Sequence, residues 1–322
     1  MSGLGLGLGL GLGAHRKVGG AGNKPATFTV TSGDGTDYIR VQVSETTTVT
    51  PAGGTSIKIG SSGDFVTTPL TLVANTNQDI YFNGAGSLTI PRRKLVTYLL
   101  LYDLGSSTIT CDITGMKLTT LYLCSLGSSV ITGDITGMKL TYLYLYNLGS
   151  SIITGDITSM KLTLTHLSLF AVGSSVAITG DITGMKLTTI YIYDIGASVI
   201  NGNITGMELT FMRFRGLGSS LLSYGTNQLN ITNSLGIQLE RDIIFATSQE
   251  YERLIQDAAI ATWGGEYPFR IDAGTSETDP GWENVKADVA VLLTKAAWTV
   301  IPSAWLSANG GSWPETWDEY TG

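Results

Sequence analysis

A unit of about 22 residues recurs through the middle of this chain almost letter for letter. Lys117–Met138 reads KLTTLYLCSLGSSVITGDITGM, and Lys139–Met160 reads KLTYLYLYNLGSSIITGDITSM. Related copies start at Lys94, Lys161 and Lys186, and a degraded one at Glu208. A repeat this short cannot bury its apolar face alone. Copies must stack into a solenoid in which each unit packs only on its neighbours. Such a stack presents an extended surface, which points toward binding.

Within one repeat, Leu143 and Leu145 alternate with Tyr144 and Tyr146, the period of a strand with leucines inward. Gly149-Ser150-Ser151 turns the chain, and Ile153 opens a second edge. Gly155 allows a sharp bend, and Ile157 and Met160 return to the core. Stacking about 4.8 Å apart aligns equivalent residues into columns. Two inward columns are expected: Leu99, Leu121, Leu143, Leu167, Ile190, Met212, and Ile113, Ile135, Ile157, Ile182, Ile204. Two outward columns follow. One holds Leu100, Tyr122, Tyr144, Ser168, Tyr191 and Arg213; the other holds Tyr102, Cys124, Tyr146, Phe170, Tyr193 and Arg215.

The segment Leu140-x-x-Leu143-x-Leu145 resembles the strand motif of leucine-rich repeats. Ile153-Thr154-Gly155-Asp156-Ile157 resembles the second-strand motif of their plant-type subclass. In that family an asparagine ladder satisfies backbone groups in the turn. Here the matching positions are Leu104, Leu126, Leu148, Val172, Ile195 and Leu217, all apolar. The Gly-Ser-Ser segment is expected to build the turn instead.

The rest of the chain divides around the repeats. Residues 1–23 form a low-complexity arm in which Gly and Leu alternate from Gly3 to Gly13, which disfavours a helix and places Leu4, Leu6, Leu8, Leu10 and Leu12 on one face of an extended segment. A lone strand with one apolar face must dock on something. The arm therefore reads as a docking or oligomerisation element, with a trimer favoured, against the alternative of a disordered tail. Residues 24–92 read as a small antiparallel β-sandwich-like module, with strands at Ala26–Ser32, Tyr38–Thr50, Ser56–Gly60 and Thr68–Val73. Ser87–Ile90 reads either as part of this module or as the start of a solenoid cap. Residues 93–225 form the solenoid of about six coils. Residues 226–322 hold all six tryptophans and read as an α+β cap with a Trp-rich tail. Helices are expected there from about Gln249 to Thr262, behind a Thr247/Glu250 capping box, and from about Pro280 to Ala297, with Asp279 as N-cap. The fold class is mainly β.

The layout as a whole, from the GLGLGLG start through the β module and divergent repeats to a closing helix ending in Ala297-Trp298-Thr299-Val300, resembles virion appendage proteins of phages infecting Bacteroidetes. That resemblance implies a fibre, tail-tip or head-decoration protein that meets the host surface, joined to other virion proteins through its arm.

Composition narrows the chemistry. A net charge of -7 makes a phosphate backbone an unsuitable partner, so no nucleic acid is expected. The two histidines, His15 and His166, and two cysteines, Cys111 and Cys124, leave little for a His-based catalytic apparatus or a disulfide framework. No apolar run reaches 18 residues, and no basic segment precedes the Gly-Leu run, so neither a membrane span nor a signal peptide is expected. Glu250, Glu252, Asp279 and Glu283 read as first-turn helix charges rather than a catalytic pair. The protein reads as a non-enzyme with no catalytic residues.

The outward columns are the candidate site: Tyr102, Tyr122, Tyr144, Tyr146, Phe170, Tyr191, Tyr193, Arg213 and Arg215. A continuous aromatic face suits stacking on sugar rings or on a protein. The bland alternative is that tyrosines favour strands and stack on one another. A row of Asp112, Asp134, Asp156, Asp181 and Asn203 invites a hard cation such as Ca2+. Each Asp capping its own turn is the preferred reading, with Lys117, Lys139, Lys161 and Lys186 near enough to neutralise the row. No metal site or cofactor is assigned. The expected function is host-surface binding, to glycan or protein, by an extracellular particle. A purely structural decoration or adaptor role stands second, and a bacterial surface adhesin third.

Overall fold

A computed structural model describes residues 24–204, 207–209 and 211–214, the backbone of Arg215, and the backbone of short strands beyond it. The N-terminal module contributes seven strands: β1 (Ala26–Ser32), β2 (Asp34–Val43), β3 (Thr47–Ala52), β4 (Ser56–Ile59), β5 (Leu70–Leu72), β6 (Gln78–Asn83) and β7 (Gly86–Ile90). All pair antiparallel. The expected single run Tyr38–Thr50 is broken at Ser44–Thr46, and its halves join different sheets. Strand β6 was not foreseen. Ser87–Ile90 lies in β7, paired with β1 and β3.

The repeats form a parallel solenoid of about five turns, each with two strands. The LxLxY segments give β8 (Val96–Tyr102), β10 (Thr120–Cys124), β12 (Tyr142–Tyr146), β14 (His166–Phe170) and β16 (Thr189–Tyr193). The ITGD segments give β9 (Thr108–Asp112), β11 (Val130–Asp134), β13 (Ile152–Asp156), β15 (Ala177–Asp181) and β17 (Val199–Asn203). Strands β18 (Phe211–Arg215) and β19 (Leu222–Ser223) continue the two ladders. The register aligns Leu99, Leu121, Leu143, Leu167, Ile190 and Met212, all fully buried. The column from Ile113 to Ile204 is equally buried. Each such side chain contributes about 1.5–3 kcal/mol relative to exposure.

Module and solenoid share both sheets. Strand β1 pairs antiparallel with β9, and β2 with β8, giving sheets of ten and twelve strands over one continuous core. The open edges of the first coil are thereby covered, which an exposed parallel stack requires. Arg93 ties the start of the module to this coil, donating to the carbonyls of Pro25 and Thr114 and pairing with Asp112 at 3.3 Å.

The turns are built as ladders. Where an asparagine ladder would run, Leu104, Leu126, Leu148, Val172 and Ile195 are buried as core. In three coils a buried serine two residues after the turn glycine does the polar work. Ser129 Oγ accepts from Ile109 N–H at 2.9 Å, and Ser151 Oγ from Ile131 N–H at 3.0 Å. Ser198 Oγ accepts from Ile178 N–H at 3.0 Å. One residue earlier than each apolar ladder position the chain enters the left-handed region: Asp103, Ser125, Asn147, Ala171 and Asp194 have φ between 44 and 49°. Gly155 has a different role from the expected bend. A Cβ there would lie 2.7 Å from Ile135 Cγ1 and 2.9 Å from Thr136 N in the preceding coil. The first coil carries Cys111 at this position, opposite Phe28 of the antiparallel β1, so the same constraint is absent.

Beyond the repeats, β20 (Thr232–Ser234) pairs with β22 (Thr262–Trp263). Strands β21 (Gly236–Leu239), β23 (Phe269–Ile271) and β24 (Trp298–Val300) extend the twelve-stranded sheet. Thr262 and Trp298–Val300, expected at the ends of helices, are strand. The remaining parts of both expected helices, Asp279 to Ala297 included, lie outside the described residues, as does the arm with Leu4, Leu6, Leu8, Leu10 and Leu12.

Candidate binding face on the twelve-stranded sheet

Because side chains alternate along a strand, the residues between the buried leucines all point out of the same sheet. Register places Tyr122, Tyr144 and Tyr191 in one outward column and Tyr146, Phe170 and Tyr193 in the next, as expected. The rings are in contact. Tyr122 and Tyr144 stack with centroids 4.2 Å apart and planes 1° from parallel. Tyr146 and Phe170 stack at 4.5 Å, and Phe170 meets Tyr193 at 4.6 Å. Tyr102 reaches Tyr122 at 6.3 Å and is half-exposed. Arg213 closes the row, its guanidinium 5.3 Å from the Tyr191 centroid and 5.6 Å from that of Tyr193. The backbone of Arg215 follows the register of Tyr193; its side chain is outside the described residues.

The face is wider than the two expected columns. A third, one step earlier on each strand, holds Tyr98, Thr120, Tyr142, His166, Thr189 and Phe211. The alternation that marks Tyr144 and Tyr146 also reaches Tyr142, so the signal was present. The face also runs onto the module, where Tyr38 meets Tyr81 at 5.2 Å and the Lys58 ammonium lies 5.3 Å from the Tyr81 centroid. Beside them Arg40 forks onto Asp79, which neutralises both groups. Two small residues interrupt the rings. Cys124 is buried, and Ser168 is 7% exposed with no hydrogen-bond partner for its Oγ.

Where Thr120 stands between Tyr98 and Tyr142, the face sinks into a groove of about 540 Å³. Leu100, Tyr122, Thr141, Thr165 and His166 complete its walls. Partial burial raises the phenol pKa of Tyr98, Tyr142 and Tyr144, and of Tyr122 most, so all are neutral donors near pH 7. Burial lowers the His166 pKa, favouring the neutral ring.

The aspartate row has a structural use. Asp112, Asp134, Asp156 and Asp181 each accept from the N–H two residues on, at 2.8 Å. The Thr of each turn then accepts from the acidic residue's N–H in the next coil, as Thr136 does from Asp156 at 3.0 Å. Turn capping is thus what the row does. Among the described residues the row's one close ion pair is Arg93–Asp112, while Lys161, one of the lysines expected to neutralise the row, acts on Asp181 at longer range and helps lower its pKa. Among those residues no group of three His, Cys, Asp or Glu side chains is arranged for a metal. Asp34 and Asp37, at the start of β2, hold the first coil. Asp34 accepts from Ser106 Oγ at 2.6 Å, and Asp37 from Ser107 N–H at 3.3 Å.

The thiols are buried and unpaired with each other. Burial pushes Cys111 up to about 12 and raises Cys124, which keeps both protonated and poorly nucleophilic. Glu250, Glu252, Asp279 and Glu283 lie outside the described residues. No helix among the described residues is long and apolar enough to cross a membrane. No protein-family model, curated protein or solved structure matches the chain.

Proposed function

We propose that the protein is a non-enzymatic recognition module that binds a host-surface glycan or protein through the aromatic face, as an appendage of a phage virion. The observation that carries this reading is two sets of contacting rings on one sheet face, Tyr102–Tyr122–Tyr144 and Tyr146–Phe170–Tyr193, the second ended by Arg213. Aromatic side chains combined with arginine favour recognition surfaces, because they bury large rigid area while keeping a polar tip. The sheet holds these rings at fixed intervals, so little order has to be created on binding. The Gly-Leu arm would join the module to other virion proteins as an oligomer, with a trimer favoured.

One observation favours a second reading. The rings stack on one another, so part of their value is internal to the sheet. A decoration or adaptor protein without receptor binding would use them only for that. Purified protein applied to a glycan array and to intact Bacteroidetes cells separates the two. Attachment supports recognition, and attachment to neither supports the structural role. Unchanged virion incorporation after deletion of residues 1–20 would remove the docking role of the arm.

A further inference from the structure

We infer that the groove between Tyr98 and Tyr142 is a subsite for one uncharged pyranose ring, a deepening that rests on the recognition reading above. Its size falls within the ~300–1,000 Å³ of small-molecule sites. Tyr98 and Tyr142 stand two strands apart with Thr120 between them, a separation of about 9.6 Å along the sheet. Their rings and that of Tyr122 offer flat apolar surface to the C–H face of a sugar, with phenol hydroxyls at the edge. No Lys, Arg, Asp or Glu lines the groove. A carboxylated or phosphorylated sugar would lose hydration there and meet only Arg40 beside Tyr98, a charge already paired with Asp79.

The polar contact that orients the sugar comes from His166. Thr165 Oγ1 has a single hydrogen and donates it to the carbonyl of Thr141 at 3.0 Å. With that hydrogen on Thr141, we assign its 2.9 Å contact with His166 Nδ1 the other way, from the ring N–H to the threonine oxygen. That tautomer leaves Nε2 as an acceptor, with no partner among the described residues. Tyr142 stacks on the imidazole at 5.1 Å and holds its plane. An acceptor beside aromatic rings selects a hydroxyl donor, which a sugar supplies and an aliphatic side chain does not.

The test is saturation-transfer NMR on the full chain, with methyl glycosides of glucose, galactose, mannose and N-acetylglucosamine. Glucuronate and N-acetylneuraminate serve as acidic comparators. At least one neutral glycoside is expected to bind, with the acidic sugars weaker. Thr120→Trp, which fills the groove, should abolish binding with the fold intact by circular dichroism. His166→Phe, which keeps a ring without an acceptor, should weaken it about tenfold, the loss expected for one hydrogen bond. Undiminished binding in Thr120→Trp, or a preference for the acidic sugars, overturns the assignment. If wild type attaches to host cells through Tyr144 and Tyr146 yet binds no neutral glycoside, the subsite is wrong and the face reading stands. If it attaches to neither, the recognition reading falls and the subsite with it.

Discussion

Ser129 Oγ accepts the amide hydrogen of Ile109, one coil earlier, at 2.9 Å, and both groups are buried. Ser107 holds the same place in the first coil, but β1 rather than another coil lies beneath it, and its Oγ accepts no amide hydrogen. One repeat position therefore has two energetic values. Ser129→Ala or Ser151→Ala strands a buried N–H and should cost about 1–3 kcal/mol. Ser107→Ala should be neutral or slightly stabilising. Thermal melts of the three variants check this; equal losses would contradict it.

Gly155→Ala is expected to destabilise by about 2–3 kcal/mol, through overpacking against Ile135 and the Thr136 backbone. Cys111→Gly, at the matching position of the first coil, removes no such clash. It should lose stability only through the lost buried thiol and the greater backbone freedom of glycine. Denaturation midpoints distinguish the two, and a Gly155→Ala variant as stable as wild type would rule out the close approach.

Much of this architecture is readable from the repeat itself. Because Leu121 and Leu143 recur at one period, parallel register and both inward columns follow without further information. The third outward column was missed because Thr120 and Thr189 break its aromatic pattern, although Tyr98, Tyr142 and His166 belong to it. The serine ladder was legible only as a Gly-Ser-Ser segment, since burial and partner depend on the coil beneath. Nor could local sequence reveal that Phe28 would face Cys111, or Val41 face Leu99. Those antiparallel pairings join residues far apart in the chain, and no repeat announces them.

Ala171 adopts φ 46°, a conformation that costs an ordinary L-residue roughly 1–2 kcal/mol, whereas Asn147 fills the equivalent place one coil earlier. Asparagine tolerates this region because its short polar side chain bonds locally. Ala171→Asn should therefore stabilise by about 0.5–1 kcal/mol. The measurement is the shift in denaturation midpoint, and a lower midpoint would contradict the strain.

Hydrogen bonds from Thr136, Thr158 and Thr183 hold the Asp134, Asp156 and Asp181 carboxyls below their ordinary range. A lowered folded-state pKa gives stability that is complete above the unfolded value, about 3.9, and is lost as pH falls through the folded value. Melting temperatures should thus drop on acidification below about pH 4. Replacing all three by Asn, as nature does at Asn203, should flatten that part of the drop. An unchanged slope would show that these turns do not sense acid.

The central claim is that the twelve-stranded sheet, not the ten-stranded one, meets the host. Two double variants separate the sheets: Tyr144→Ala with Tyr146→Ala on one, and Thr132→Ala with Thr154→Ala on the other. Each is applied to intact host cells after its fold is confirmed by circular dichroism. Attachment is predicted to disappear with the tyrosine pair and to persist with the threonine pair. Attachment that survives loss of Tyr144 and Tyr146, or that disappears with Thr132 and Thr154 instead, would contradict it.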